Sequence, residues 1–145
     1  MIGELIVMIE IAGRRAAIPA VEVQSVIELD QIYPVPQAPA HVTGLTAMRS
    51  QSLTVIDCHR ALQQSGDASH GERSPVVEIG GHLYALQVDL VDDVIPAQSE
   101  IMPIKGGFGE NWQRVARGMV ETDRGPALLI DIKALVAGPQ FAHAA

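Results

Sequence analysis

Residues 42–57 read VTGLTAMRSQSLTVID, and residues 116–131 read ARGMVETDRGPALLID. Gly44 in the first stretch and Gly118 in the second stand thirteen positions before the aspartate that closes the stretch. An apolar run precedes each of these aspartates, and a short run of helix-forming residues follows it. We interpret each copy as a hairpin of two strands that leads into a short helix.

The repetition continues upstream of these hairpins. Residues 11–27 align without gaps with residues 79–95, and six of the seventeen positions are identical. Average composition leads us to expect about one or two such identities. The segment QIYPV (31–35) then aligns with EIMPI (100–104), so the order of motifs is the same in both halves. A unit of roughly 70 residues is longer than a solenoid repeat and predicts two subdomains of one design.

The composition favours strands over helices. Apolar residues make up 48% of the 145 residues but aromatic residues only 3%, so the core must consist mainly of aliphatic side chains. Short strands leave exposed edges unless each unit closes on itself, which favours two small β-barrels. We therefore expect one all-β domain with short helices over residues 1–145, with a subdomain at about 4–64, a polar linker at 65–74 and a second subdomain at about 75–137.

Charge and cysteine content exclude several classes of function. The formal net charge is −7, and an acidic chain without a basic cluster is repelled by the phosphate backbone of nucleic acids. The single cysteine, Cys58, cannot form an internal disulfide, which fits a reducing compartment. The N-terminal apolar run lacks a basic region and is interrupted by Glu4 and Glu10, so it predicts neither a signal peptide nor a membrane span. We expect a cytoplasmic protein that does not insert into the membrane.

The equivalent aspartates Asp57 and Asp131 allow two interpretations. Aspartic proteases share one proton between two twofold-related carboxylates, so a small duplicated hydrolase is a remote alternative. Each aspartate instead stands where a strand meets a short helix, and a carboxylate there accepts backbone N–H bonds as an N-cap. We favour the cap and expect no catalytic residues.

Other candidate chemistry lacks a suitable pattern. Cys58 and His59 are adjacent, but no second cysteine and no His-x-x-x-His spacing supports a zinc site. The stretch KGGFGENW (105–112) lacks the Gly-Lys-Ser/Thr ending of a phosphate-binding loop, so we interpret it as a connection to the final hairpin. We expect no metal and no cofactor, and we expect a binding module rather than an enzyme.

A V-x-x-V-I segment occurs at equivalent places in the two halves, as VQSVI (23–27) and VDDVI (91–95). Buried valine is the commonest case, so its valines can belong to the core. If they instead line a groove between the subdomains, an amphipathic helix of a partner would dock apolar anchors there. The valines concerned are Val23, Val26, Val91 and Val94.

The order of these motifs resembles that of the CheW-like family of chemotaxis coupling proteins. The family pattern has a V-x-x-V segment, a P-x-x-P stretch before a glycine, and a hairpin Asn-Leu-Arg-Gly that leads into Val-Pro-Val-Ile-Asp-Leu. The chain has VEVQSVIEL, YPVPQAPAHVTGL, TAMRS and LTVIDCHRAL in this order, followed by YALQVDLVDDVI and LLIDIKALV. The resemblance covers residues from about 4 to about 137.

The resemblance implies a scaffold of two five-stranded barrels without catalytic activity. It implies that one surface binds the regulatory domain of a chemotaxis histidine kinase. It also implies that the groove between the subdomains binds the cytoplasmic tip of a methyl-accepting chemoreceptor, which locates the protein at membrane-associated receptor arrays. Val23, Val91 and Val94 match the receptor-binding positions of the family, and Val26 follows by symmetry.

The resemblance also points to the hairpin of the first half as a partner-recognition hairpin. Gly44 opens this hairpin, and Arg49 falls on the signature arginine of the family. The second copy has no arginine at the equivalent position, which favours a role in partner recognition over a role in folding. The alternative is a solvated surface arginine.

The chain departs from the family pattern in this region. Ser50 replaces the glycine after the arginine, and Thr54 replaces the proline of the second strand. Ser25 replaces a glutamate that can pair with the arginine. These departures lead to a second hypothesis of the same class, a divergent coupling protein that serves a non-flagellar receptor–kinase pathway.

Overall fold

The computed structural model describes residues 1–64 and 70–139, which form ten strands, three α-helices and one 3-10 turn at Ala20–Glu22. The strands are β1 (Leu5–Ile11), β2 (Arg14–Pro19), β3 (Val23–Glu28), β4 (Val42–Met48), β5 (Gln51–Asp57), β6 (Arg73–Ile79), β7 (His82–Gln87), β8 (Leu90–Pro96), β9 (Ala116–Thr122) and β10 (Gly125–Ile130). The helices are α1 (Cys58–Ala61), α2 (Glu110–Val115) and α3 (Ile132–Ala137). The expected all-β class with short helices is confirmed, and α2 is an addition that the sequence patterns did not predict.

The strands form two five-stranded sheets. The first sheet has the order β8-β1-β2-β10-β9, and the second sheet has the order β3-β6-β7-β5-β4. Equivalent strands of the two halves occupy equivalent places, so the repeat in the sequence is also a repeat in the structure. Most neighbours are antiparallel, whereas β2 with β10 and β5 with β7 are parallel.

The two sheets do not follow the expected division of the chain. Strands β1 and β2 of the first half join β8, β9 and β10, whereas β6 and β7 of the second half join β3, β4 and β5. The stretches 4–64 and 75–137 therefore exchange their first hairpins. The expected linker at 65–74 is also shorter, because β6 begins at Arg73, and its residues 65–69 lie outside the described residues. Side-chain alternation marks a strand but does not reveal which strand lies beside it.

Each sheet is open rather than closed into the expected barrel. Within the described residues, the edge strands β3 and β4 of the second sheet do not pair with each other, and neither do β8 and β9 of the first. The segment after β3 covers part of the gap, because Tyr33 forms a bridge to Leu45 of β4. Met102 and Met119 form the equivalent bridge in the first sheet. A single bridge in each sheet thus takes the place of a full closing pair of strands.

The core has a central cluster between the two sheets. Each sheet also has a smaller cluster on its opposite face. Ile9 of the first sheet and Leu86 of the second both belong to the central cluster. Ile6 and Met8 belong to the cluster of the first sheet, and Val76 belongs to that of the second. Strand β1 therefore contributes to core on both of its faces, which explains its nearly continuous apolar sequence, LIVMIEI.

Candidate functional site

The inner valines of the two V-x-x-V segments pack against the central cluster. Val23 lies opposite Val77 on β6, and Val91 lies opposite Ile9 on β1. Val77 and Ile9 are both buried in the central cluster. Val91 is only 7% exposed, whereas Val23 is half-buried against the same cluster. These two side chains form the margin of the core on the edge strands of the two sheets.

The outer valines of the same segments are exposed. Val26 is 39% exposed and Val94 is 49% exposed. Val26 lies opposite the buried Pro75 on β6, and Val94 lies opposite the buried Val7 on β1. Each outer valine is therefore an exposed apolar side chain directly beside a buried one.

A register shift puts the inner and outer valine of each segment on one face of the sheet. Side chains three positions apart in a regular strand point to opposite faces. Both edge strands contain one extra residue relative to their neighbours, because Val23 and Val26 oppose residues only two apart, and so do Val91 and Val94. A β-bulge of this kind brings the two valines to the same side. We call the surface of Val23, Val26, Val91 and Val94 the edge-strand surface.

Further apolar side chains extend the edge-strand surface at its first-sheet end. Leu5 lies two residues before Val7 on β1 and is exposed. It lines a hollow of about 430 Å³ with Glu4, Pro19, Ala20 and Val21. Val21 is 94% exposed, and it stands just before β3 in the 3-10 turn that contacts β1. Exposed apolar side chains of this kind are typical of a site of protein interaction.

The hairpin of the second sheet ends in a tight turn with Arg49 at its tip. Met48 pairs with Gln51, so only Arg49 and Ser50 form the loop. Their φ angles are 51° and 68°, as a two-residue type I′ turn requires. Arg49 is exposed, and in residues 1–64 and 70–139 its guanidinium forms no salt bridge. A two-residue turn therefore presents a cation to solvent.

The structure gives a steric reason for the glycine at position 44. It lies inside β4 and not in a turn, at a register shift opposite Val55. A Cβ atom on Gly44 would lie 2.4 Å from the carbonyl oxygen of Tyr33, where the segment after β3 crosses β4. Gly118 has the same role in β9, because a Cβ atom there would lie 2.6 Å from the carbonyl oxygen of Met102. The glycines are thus repeated because two chain segments cross closely in each sheet.

The equivalent aspartates are helix caps, as predicted. Asp57 Oδ1 accepts a hydrogen bond of 3.2 Å from the backbone N–H of Arg60 in α1. Asp131 Oδ1 accepts hydrogen bonds from the backbone N–H groups of Lys133 and Ala134, at 3.1 and 3.3 Å. Both carboxylates therefore stabilise the first turn of a short helix.

Cys58 and His59 have the environment of core residues. Cys58 is completely buried in the central cluster, and this burial raises the pKa of its thiol far above the ordinary range, with Asp57 as a smaller cause. A thiol in such surroundings is inert as a nucleophile. His59 is also buried. In the part of the chain that the structure describes, no three His, Cys, Asp or Glu residues gather as they would around a metal ion.

The glycine-rich stretch 105–112 leads into α2 and contributes to an apolar hollow on the first sheet. Phe108 lies beneath the guanidinium of Arg14, which is 4.8 Å from the centre of its ring. The hollow has a volume of about 530 Å³ and is lined by Met102, Pro103, Lys105, Gly106, Phe108, Met119, Glu121 and Pro126. The sequence signal that could have found it is Phe108, a phenylalanine flanked by glycines.

Comparisons with known proteins identify the family of this two-sheet arrangement. The family model described as the CheW-like domain matches residues 5–140. The chain belongs to the CheW-like domain family. A CheW-like chain is a scaffold or adaptor of chemotaxis signalling, and this class agrees with the predicted resemblance. The comparison with curated proteins gave no match.

A solved structure has the same fold as this CheW-like chain. It is the scaffolding protein TtCheW from Thermoanaerobacter tengcongensis, with a TM-score of 0.78 and 24% sequence identity over 89% of each chain. The two open sheets described above are therefore the CheW-like fold. None of the helices within residues 1–64 and 70–139 has the length and apolar character needed to span a membrane.

Two departures from the CheW-like pattern have visible consequences. Ser50 stands where the pattern has glycine and adopts φ of 68°, a region in which a side chain is unfavourable. Ser25 stands where the pattern has glutamate, and its Oγ is buried without a hydrogen-bond partner among the described residues. The third departure, Thr54, lies in the middle of β5 between Leu45 and Tyr84.

Proposed function

We propose that this CheW-like chain couples methyl-accepting chemoreceptors to a chemotaxis histidine kinase. In this proposal the cytoplasmic tip of a receptor docks on the edge-strand surface, and the regulatory domain of the kinase meets the hairpin that carries Arg49. Membership of the family supports this class of partners. The observation that carries the receptor site is the exposure of Val26 and Val94, each directly beside a buried residue of a neighbouring strand.

The symmetry of the edge-strand surface suits a helical hairpin. Val26 and Val94 lie on strands that the internal repeat makes equivalent, and the two helices of a hairpin run in opposite directions. Each helix can therefore place an apolar side chain against one valine. Such anchors contribute on the order of 1–2 kcal/mol each when they are buried.

The second-sheet hairpin suits a contact with a folded domain. Its two-residue turn fixes the backbone at Arg49, so little backbone freedom is lost when a partner binds. The hairpin and the edge-strand surface use different elements, and in this proposal both partners bind at once. A protein with these two contacts acts in the cytoplasm, at membrane-associated receptor arrays.

A divergent coupling protein for a non-flagellar receptor–kinase pathway is the second candidate. Ser25 and Ser50 favour it, because both depart from the family pattern, Ser50 in the turn of the proposed kinase-binding hairpin and Ser25 on β3 between two valines of the edge-strand surface. The two candidates share the same surfaces and differ in the identity of the receptor and the kinase. Binding to receptor tips of several classes from the same cell distinguishes them.

Co-sedimentation tests the proposed function. The kinase regulatory domain and the receptor-tip fragment come from the same cell. The chain is mixed with each of them separately and with both together. We expect a ternary complex in which the chain is required to bring the kinase domain down with the receptor fragment. Independent sedimentation of all three proteins would contradict the coupling function.

A further inference from the structure

The two halves of the edge-strand surface are equivalent in register but differ at one end. In the first sheet, the next pair beyond Val94 on the same face is Leu5 opposite Pro96, and both residues are exposed. The offset of 68 residues places Arg73 and Glu28 at these positions in the second sheet, where they also lie opposite each other. The edge-strand surface is therefore apolar at its first-sheet end and charged at its second-sheet end.

The apolar end includes the hollow of about 430 Å³ between β1 and the 3-10 turn. We call it the Leu5 hollow, and it is lined by Glu4, Leu5, Pro19, Ala20 and Val21. Leu5 is 54% exposed and Val21 is 94% exposed, so both side chains are open to solvent. Four of its five lining residues are apolar, and the hollow therefore suits an apolar side chain from outside the chain.

The equivalent place in the second half is crossed by hydrogen bonds of the chain itself. Arg73 stands at the position of Leu5, and its Nη2 donates to the carbonyl oxygen of Val91 at 2.8 Å. The backbone N–H of Gly71 donates to the carbonyl oxygen of Val88, also at 2.8 Å. The segment that leads into β6 and the guanidinium of Arg73 therefore lie where the first half has its apolar hollow.

We infer that the Leu5 hollow receives a further apolar side chain from the receptor helix that contacts Val94, and that this contact fixes which helix of the receptor hairpin lies on which sheet. The inference rests on the proposed function, in which the receptor tip docks on the edge-strand surface. Two residues along a strand span about 7 Å, and one turn of a helix rises about 5.4 Å. A helix that runs along β1 can therefore contact Val94 and the hollow with residues one turn apart.

The reversed orientation of the receptor hairpin is unfavourable for two reasons. It leaves the Leu5 hollow without its apolar side chain, and it brings that side chain against Arg73 and Glu28 at the other end. Charged groups that lose water without gaining a polar partner oppose binding. The difference between the two ends therefore gives an almost symmetric surface one preferred orientation of its partner.

Titration of the chain with a receptor-tip fragment tests the role of the hollow. Leu5→Arg copies the second half and should weaken binding by on the order of tenfold, because one apolar anchor is lost. Val21→Asp should also weaken binding, and its high exposure makes it the variant to use if Leu5→Arg does not fold. Leu45→Arg is the matched control and should leave the affinity unchanged, since Leu45 is 40% exposed on β4, at the other edge of the second sheet.

Cross-linking tests the orientation of the receptor hairpin. Glu4→Cys beside the hollow and Glu72→Cys at the equivalent exposed position each provide one accessible thiol, because Cys58 is buried. The receptor-tip fragment carries a single cysteine in either its first or its second helix, at the same distance from the tip. With a bismaleimide, we expect Glu4→Cys to couple mainly to one helix and Glu72→Cys mainly to the other.

The outcomes separate this inference from the proposal on which it rests. Weaker binding by both hollow variants, together with coupling of each thiol to a different helix, supports it. Wild-type affinity in both hollow variants overturns it while the coupling function stands, and loss of self-association in Leu5→Arg would then assign the hollow to a second copy of the chain. Equal weakening by Leu45→Arg, or equal coupling of Glu4→Cys to both helices, also overturns it. Absence of any receptor binding by the wild-type chain overturns both.

Discussion

Arg114 Nη2 donates a hydrogen bond of 2.6 Å to the carbonyl oxygen of Ala61. Nη1 of the same guanidinium donates to the carbonyl oxygens of Gly138 at 3.0 Å and Ala134 at 3.4 Å. One side chain of α2 therefore holds the C-terminal ends of α1 and α3, the helices that follow the two repeated hairpins. Partial burial lowers the pKa of Arg114.

Arg114→Met should lower the free energy of unfolding by about 2 kcal/mol, because it leaves the terminal carbonyl groups of two helices without a charged donor. Chemical denaturation measures this loss. Arg117→Met is the matched control, since Arg117 is exposed and pairs with Glu22 only at 3.9 Å. We expect its effect to stay below about 0.5 kcal/mol. Equal effects of the two substitutions would contradict the bridging role of Arg114.

Gly44→Ala should destabilise the second sheet by more than about 2 kcal/mol, because the new Cβ atom would collide with the backbone of Tyr33. Gly118→Ala should have a similar effect on the first sheet. Gly106→Ala is the control, since a Cβ atom there meets nothing within 4 Å. Thermal unfolding of the three variants measures the difference. A melting temperature for Gly44→Ala as high as that of Gly106→Ala would contradict the close crossing.

Ser50→Gly should raise the free energy of unfolding by about 0.5–1 kcal/mol, because glycine adopts the positive φ of this turn without the steric penalty of a side chain. Ser52→Gly is the matched control in the adjacent strand β5 and should lower stability, since glycine weakens a strand. Denaturant titration compares the two variants. Destabilisation by Ser50→Gly would mean that the serine side chain has a stabilising role in the turn.

Asp131→Ala should destabilise the protein by about 1 kcal/mol through the loss of an N-cap, and Asp131→Asn should retain most of the stability, because asparagine also caps helices. Asp57→Ala should have a larger effect, since Asp57 is buried and also lies 3.4 Å from Nε2 of His70. Chemical denaturation of the variants distinguishes the two sites. A stability loss for Asp131→Asn as large as that for Asp131→Ala would contradict the cap.

The sequence predicted the strands and helices of this fold better than it predicted which strands pair with each other. Aliphatic runs between turn residues predicted the paired strands, and the repeat predicted two equivalent sheets with capping aspartates. The exchange of the first hairpins was not predictable, because the nearly continuous apolar run of β1 would be buried equally well beside β8 or beside β3 of its own half. Pairing over such a distance depends on packing of the whole domain and leaves little trace in local sequence.

For the candidate site too, the sequence identified residues but not how the fold arranges them. The V-x-x-V segments identified the four valines, but their spacing of three hides the β-bulge that turns Val23 and Val26 to one face. Gly44 was predicted as the residue that opens the hairpin, but the sequence did not reveal the close approach of the Tyr33 backbone that requires a glycine there. The pairing of Arg124 with Asp92 and Asp93 also depends on the fold, since these residues are about thirty positions apart.

The affinity for a receptor-tip fragment tests the central claim most directly, because the edge-strand surface exposes Val26 and Val94 as apolar anchors. Val26→Asp and Val94→Asp should each weaken binding at least about tenfold while the melting temperature stays close to that of the wild type. Val35→Asp is the matched control, since Val35 is similarly exposed at 38% and lies outside the edge-strand surface. Wild-type affinity in both edge-strand variants would contradict the receptor-docking role of this surface.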